Sequence, residues 1–178
     1  MSDYVVTCCS TADVSEQYLQ SRNVHYVCFN YELGGQQCKD DFGRTNTPAQ
    51  LYSRMLSGEE CRTSQVAIGE YMDFWRPLLA SGHDVLHVSL SSGISGTYES
   101  ACQAQEEIKK EFPERKVEVV DSLQASSGYG LLVDAVADKR DAGMSFDELV
   151  AWAREARHYV YAWFFSSDLT FFVRGGRI

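Results

Sequence analysis

Two periods of apolar residues alternate along this chain. Short apolar runs bounded by Gly, Ser or Asp recur at 4–10, 24–31, 84–90 and 116–121 and read as strands. A fifth and strongly apolar run, 158–165, reads the same way. Between them the period shifts to that of a helix. One helix is expected near Ser15, with Ser10 or Asp13 as its cap. A second runs from Thr47, with Pro48 at its first position and Gln50 reaching back, to Gly58. A third starts at Thr63-Ser64 and carries Val66, Tyr71, Phe74 and Trp75. Tyr98, Ala101, Cys102, Gln105, Ile108 and Phe112 mark a long fourth, and Leu131, Leu132, Ala135 and Val136 a fifth that ends at Gly143. Ser145 and Glu148 form a capping box before the stripe Leu149, Trp152, Ala153 and Ala156. Leu33-Gly-Gly-Gln-Gln is a hairpin turn into a short edge strand. Strands alternating with helices predict an α/β fold: a mostly parallel sheet of about four or five strands, flanked by helices.

Composition narrows the function classes. A chain of 178 residues, 44% hydrophobic, fits one domain or one domain and a fragment. A net charge of −9 argues against nucleic acid, because phosphate neutralisation needs clustered Lys and Arg. Met1-Ser-Asp leads straight into a strand, and no apolar run reaches the roughly 20 residues of a membrane span. A cytoplasmic protein without signal peptide or transmembrane segment is expected. The six cysteines, at 8, 9, 28, 38, 61 and 102, include no C-x-x-C pair and are expected to be reduced thiols. His83 and His87 lie about 13 Å apart in a strand, too far for one ion, so no metal is expected.

The candidate chemistry centres on Ser91-Ser-Gly-Ile-Ser-Gly-Thr-Tyr98, where a strand passes through a Ser/Gly turn into a helix. Free amides at the helix start, its dipole and the hydroxyls of Ser91, Ser92, Ser95 and Thr97 suit an anion. A nucleotide-phosphate loop would need a Lys that this stretch lacks. A hydrolase elbow would use Ser95 as nucleophile with His158 as base, but Thr97 stands where that motif needs Gly. Third comes a carboxylate held without chemistry. The plainer alternative is helix capping alone, and it also applies to Thr63 and Ser64. Ser10 lies just past a strand's carboxyl end, where α/β sheets place ligands. Gly128 and Gly130 indicate a close approach, by a ligand or by packing, and Ser126 and Ser127 beside them are pocket candidates.

Five ordered motifs carry a family resemblance over the whole chain. They are Ser91–Tyr98, Thr63-Ser64-Gln65, Val119-Val-Asp-Ser122, Gly175-Gly-Arg-Ile178, and Cys9-Ser10-Thr11-Ala12-Asp13, which departs at its first position. Together they resemble the DegV family of fatty-acid-binding proteins. The resemblance implies a protein without catalytic residues or cofactor that holds a long-chain fatty acid by its carboxylate. Thr63, Ser64, Ser95, Gly96 and Thr97 would grip the head group; Ser10, Ser92, Ser126, Ser127, Arg174 and Arg177 form a second group. A partner fatty acid kinase, carrying the ATP site, would phosphorylate the bound carboxyl. Residues 1–173 would be the first α/β domain and 174–178 the start of a segment leading to an absent second domain. The apolar face left open would then pair with another copy or make the protein sticky. The alternative kept beside this is a serine esterase using Ser95.

Overall fold

The computed structural model describes residues 4–174. In chain order the elements are β1 (Tyr4–Cys9), a 3-10 turn (Ser10–Ala12), α1 (Glu16–Ser21), β2 (Val24–Val27), β3 (Asn30–Leu33), β4 (Gln36–Lys39), α2 (Pro48–Leu56), β5 (Cys61–Ser64), α3 (Ile68–Ala80), β6 (Asp84–Ser89), α4 (Thr97–Glu111), β7 (Val117–Asp121), α5 (Ser126–Asp141), α6 (Phe146–Ala156), a second 3-10 turn (Arg157–Tyr159) and α7 (Thr170–Arg174). Four strands form a parallel sheet in the order β2-β1-β6-β7. Every residue of β1 is buried, so both faces are covered, by the pairs α3/α4 and α5/α6. The α/β expectation holds. Among the described residues no helix is long and apolar enough to cross a membrane.

Local signals behave as read in several places. The β3–β4 hairpin turns through Gly34 and Gly35, both at positive φ as a type I′ turn demands. Thr47 and Gln50 cap α2 reciprocally, and Ser145 and Glu148 do the same for α6. The close approach at Gly130 is packing. A Cβ there would overlap the Ala12 carbonyl oxygen and sit 3.1 Å from Val14 Cγ1, so α5 lies directly on the turn after β1.

Four expectations are corrected. The run 24–31 is two strands, because the Phe29 amide donates to Ser10 Oγ and the Phe29 carbonyl accepts from Asp40 N–H. These bonds take the chain out of the parallel sheet and into a second, antiparallel sheet ordered β4-β3-β5. Thr63 and Ser64 do not start a helix. They pair with Tyr31 and Asn30 in β5, and α3 begins after Ala67, whose amide donates to Glu70 Oε2. Neither Ser10 nor Asp13 caps α1; Ser15 Oγ accepts from Tyr18 N–H. Residues 158–165 are not a strand. Two carbonyls on the outer edge of β7 are taken by side chains, Val117 by Gln105 and Asp121 by Arg157. The aromatic run beyond it stays in solvent, with Trp163 94% and Phe165 99% exposed, so burial gives it no partner.

Candidate functional site

β6 ends at Ser89, and the chain crosses residues 90–96 before α4 begins at Thr97 with Gly96 as its N-cap. The turn is held by its own hydrogen bonds. Gly93 N–H donates to Ser91 Oγ (3.2 Å), Ile94 N–H to the Ser91 carbonyl, and Thr97 N–H to Ser95 Oγ (3.2 Å). The amides of Gly96, Tyr98 and Glu99 have no acceptor among the described residues, nor do the hydroxyl protons of Ser91 and Ser95. Backbone donors at the positive end of a fifteen-residue helix, with two free hydroxyls beside them, form an anion site in chemical terms.

Not every hydroxyl in the turn is available. Ser92 donates to Asp121 Oδ2 (2.6 Å), and Asp121, buried at the end of β7, also accepts from the Ser92 and Leu123 amides. Thr97 is fully buried, and its hydroxyl meets Tyr71 OH at 2.8 Å. The Thr97 amide is taken by Ser95 Oγ, so Thr97 leaves no open amide at the start of α4. The Thr97–Tyr71 contact continues inward. Tyr71 OH lies 3.3 Å from Cys9 Sγ, and His87 sits between Cys9 and Thr7, 2.9 Å from Thr7 Oγ1. Burial pushes the Cys9 thiol up to about 11 and the Tyr71 and Cys8 groups well upward, so all stay neutral. Burial also lowers His87 to about 3.

The esterase arrangement has no base here. Ser95 Oγ accepts from Thr97 N–H and has no histidine among its hydrogen-bond partners, while His158 lies exposed after α6. All six cysteines are free, and among the described residues no cluster of His, Cys, Asp or Glu could hold a metal ion.

The remaining candidates fall in different places. Thr63 lines a cleft of about 660 Å³ together with Ser10, while strand alternation turns Ser64 to the other face of β5. The Ser10 hydroxyl is committed, donating to Asp40 Oδ2 (2.8 Å) and accepting from Phe29 N–H. Asp13, Glu16, Asp40 and Asp41 line the same cleft against Lys39, a charge balance that disfavours a carboxylate ligand. Ser126 and Ser127 are exposed at the start of α5. Arg174 is exposed on α7 with its guanidinium over the Phe171 ring; Arg177 and the Gly-Gly-Arg-Ile motif lie outside the described residues.

Gln65 and Asp121, which the sequence reading did not single out, belong to this neighbourhood. Gln65 follows β5 directly, and its Nε2 donates to Ser100 Oγ on α4 (2.8 Å). The segment 63–65 and the turn 95–97 therefore meet through Gln65. Both residues stood inside quoted motifs, which was the available signal. Exposed apolar surface adjoins the turn: Ile94 is 46% and Leu123 41% exposed. Ser91 N–H donates to the Gln124 carbonyl, and Gln124 Nε2 to the Val160 carbonyl, which ties the root of the exposed aromatic run to the same loop.

Comparison with known proteins finds relatives along almost the whole chain. The profile of the family described as "Uncharacterised protein, DegV family" matches residues 5–178. The DegV domain-containing protein YteA of Lactococcus lactis is 31% identical over 169 residues, covering 95% of this chain and 58% of that protein. A DegV domain-containing protein of Clostridium perfringens is 28% identical and is covered over 61% of its length, so the chain spans about three fifths of these relatives. Among solved structures, a DegV family protein from Thermus thermophilus described by its fatty acid binding superposes with a TM-score of 0.81 at 27% identity, covering 98% of this chain and 60% of that one. A stearic-acid-binding protein from Eubacterium ventriosum gives 0.77 at 25% identity, covering 84% and 52%.

Proposed function

This chain belongs to the DegV family, and from that premise we propose that it binds a long-chain fatty acid by its carboxylate at the start of α4, without altering it. The observation that carries the proposal is the set of unpaired donors there. The amides of Gly96, Tyr98 and Glu99 and the hydroxyls of Ser91 and Ser95 open beside exposed Ile94 and Leu123. A carboxylate leaving water needs several donors at once, and an acyl chain needs apolar surface next to them. The fatty-acid-binding relatives from Thermus thermophilus and Eubacterium ventriosum support the same ligand class. Ser95 contributes through its hydroxyl and Gly96 through its amide, while Thr97 shapes the turn, its amide held by Ser95 Oγ and its hydroxyl by Tyr71. Thr63 opens on the acidic cleft and Ser64 on the opposite face of β5, so that strand serves the site by delivering Gln65.

The finer reading follows the sequence resemblance. The bound acid is presented to a partner kinase that phosphorylates its carboxyl group, and a second domain completes the apolar wall. Mass analysis of small molecules released from the purified chain by denaturing extraction tests the ligand class: a long-chain fatty acid is expected, and its absence after loading with oleate overturns the proposal. Ser95→Ala removes one free hydroxyl and is expected to weaken retention by about 1.5 kcal/mol, roughly tenfold in Kd. Unchanged retention would put the carboxylate elsewhere.

A further inference from the structure

Resting on that reading, the geometry points to Gln65 as the positioning residue of the head-group site, and to glycine at 96 as the seat for its carboxamide. Gln65 itself is exposed, but its Nε2 ends on Ser100 Oγ at 2.8 Å, and Ser100 is buried in the first turns of α4. The bond therefore fixes α4 against the connection from β5 to α3 at the point where the open amides lie. The other half of the carboxamide presses on the helix start. A Cβ on Gly96 would overlap Gln65 Oε1 and stand 3.2 Å from its Cδ. Gly96 has φ −73°, a conformation open to every residue, so backbone freedom does not call for glycine here. What glycine leaves is the room that the Gln65 carboxamide fills, and a methyl there would have to displace that carboxamide. The Tyr71–Thr97 contact ties the same turn from the core side. The start of α4 is thus held from two directions by the segment that follows Thr63 and Ser64.

The test is a double-mutant cycle on the purified chain, read as affinity for a long-chain fatty acid and for the fatty alcohol of equal length. The alcohol keeps the tail and removes the charge. Gln65→Ala is expected to weaken acid binding about tenfold and alcohol binding less than about twofold, because a displaced turn misaligns donors that only the anion needs. Gly96→Ala is expected to do the same by pushing Gln65 off Ser100. Once Gln65 has been truncated, adding Gly96→Ala should cost little more, since the clash is gone. Gln65→Glu, which sets a negative charge beside the site, should weaken acid binding further while sparing the alcohol. Acid affinity within twofold of wild type in Gln65→Ala, or two effects that multiply in the double variant, overturns the positioning role. A wild-type chain that fails to distinguish acid from alcohol overturns the head-group site as well, so the two failures are separable. Loss of alcohol affinity in parallel with acid affinity would show a general structural defect and would also overturn the assignment.

Discussion

Lowering the pH from 7 to 5 is expected to destabilise this fold by about 2 kcal/mol through one side chain, His87. The imidazole lies fully buried in β6, between Thr7 Oγ1 and Cys9 Sγ, with the Tyr71 and Trp75 rings edge-on to it. The titratable groups beside it, Cys9 and Tyr71, are pushed upward and stay neutral, so no anion offsets an imidazolium. Desolvation lowers its pKa from 6.5 to about 3. Between those values the unfolded chain binds the proton and the folded chain does not. The contribution of a neutral His87 is thus fully present above pH 6.5, shrinks as pH falls, and is lost by about pH 3. Over that whole interval it is on the order of 5 kcal/mol. Urea unfolding at pH 7 and pH 5 measures it. Half-buried His25, also lowered by burial, acts in the same direction, so the slope alone does not assign the effect. Comparison with His87→Leu does: that variant is expected to lose most of the pH dependence while remaining folded at pH 7. Parallel pH profiles for the two proteins would mean that His87 is protonated in the native state.

Gly130→Ala is expected to cost about 3 kcal/mol, against the usual direction for a helix interior, where Gly→Ala gains about 1 kcal/mol. The new methyl would overlap the Ala12 carbonyl oxygen and crowd the Ala12 carbonyl carbon at 3.4 Å. Backbone does not rotate out of the way as a side chain can, so α5 must shift off the turn that follows β1. That turn includes Ser10, which holds the Phe29 amide and so helps to pass the chain from one sheet to the other. A fall of roughly 6–12 °C in Tm is expected by thermal unfolding. Gly69→Ala, in the first turn of α3, is the contrast. Its Cβ meets nothing within 4 Å, so this change is expected to leave Tm unchanged or raise it. A Gly130→Ala protein as stable as wild type would mean that the close approach is absent.

What could be read from the sequence, and what could not, follows from which interactions are local. The parallel strands announce themselves because burial on both faces leaves nearly continuous apolar runs such as 4–9 and 85–88, interrupted only by Thr7 and His87. The Gly34-Gly35 turn and the two capping boxes are set by residues within four positions of one another. β5 gave no such signal. Cys61-Arg-Thr-Ser64 is exposed over most of its length and is a strand only through main-chain pairing with β3, some thirty residues earlier. The split of 24–31 likewise depends on Ser10, across the sheet. At the candidate site the Ser/Gly turn before α4 was plain, because strand, turn and helix are contiguous. That the Thr97 hydroxyl points into the core, that Ser92 serves Asp121, and that Gln65 spans the gap to Ser100 are all tertiary facts which no spacing encodes. The run 158–165 misled for the opposite reason: its pattern reports a tendency to burial, and among the described residues Val160 packs on the core while the aromatic rings around it stay in solvent.

The same run gives the molecule a built-in optical reporter. Trp75 is sealed in the core and Trp152 is half-covered, whereas the Trp163 indole stands 94% in water. Long-wavelength emission and iodide quenching should therefore belong to Trp163. Anything that settles over this stretch, whether acyl chain, docking protein or second copy, would shield one fluorophore and leave the sealed one silent.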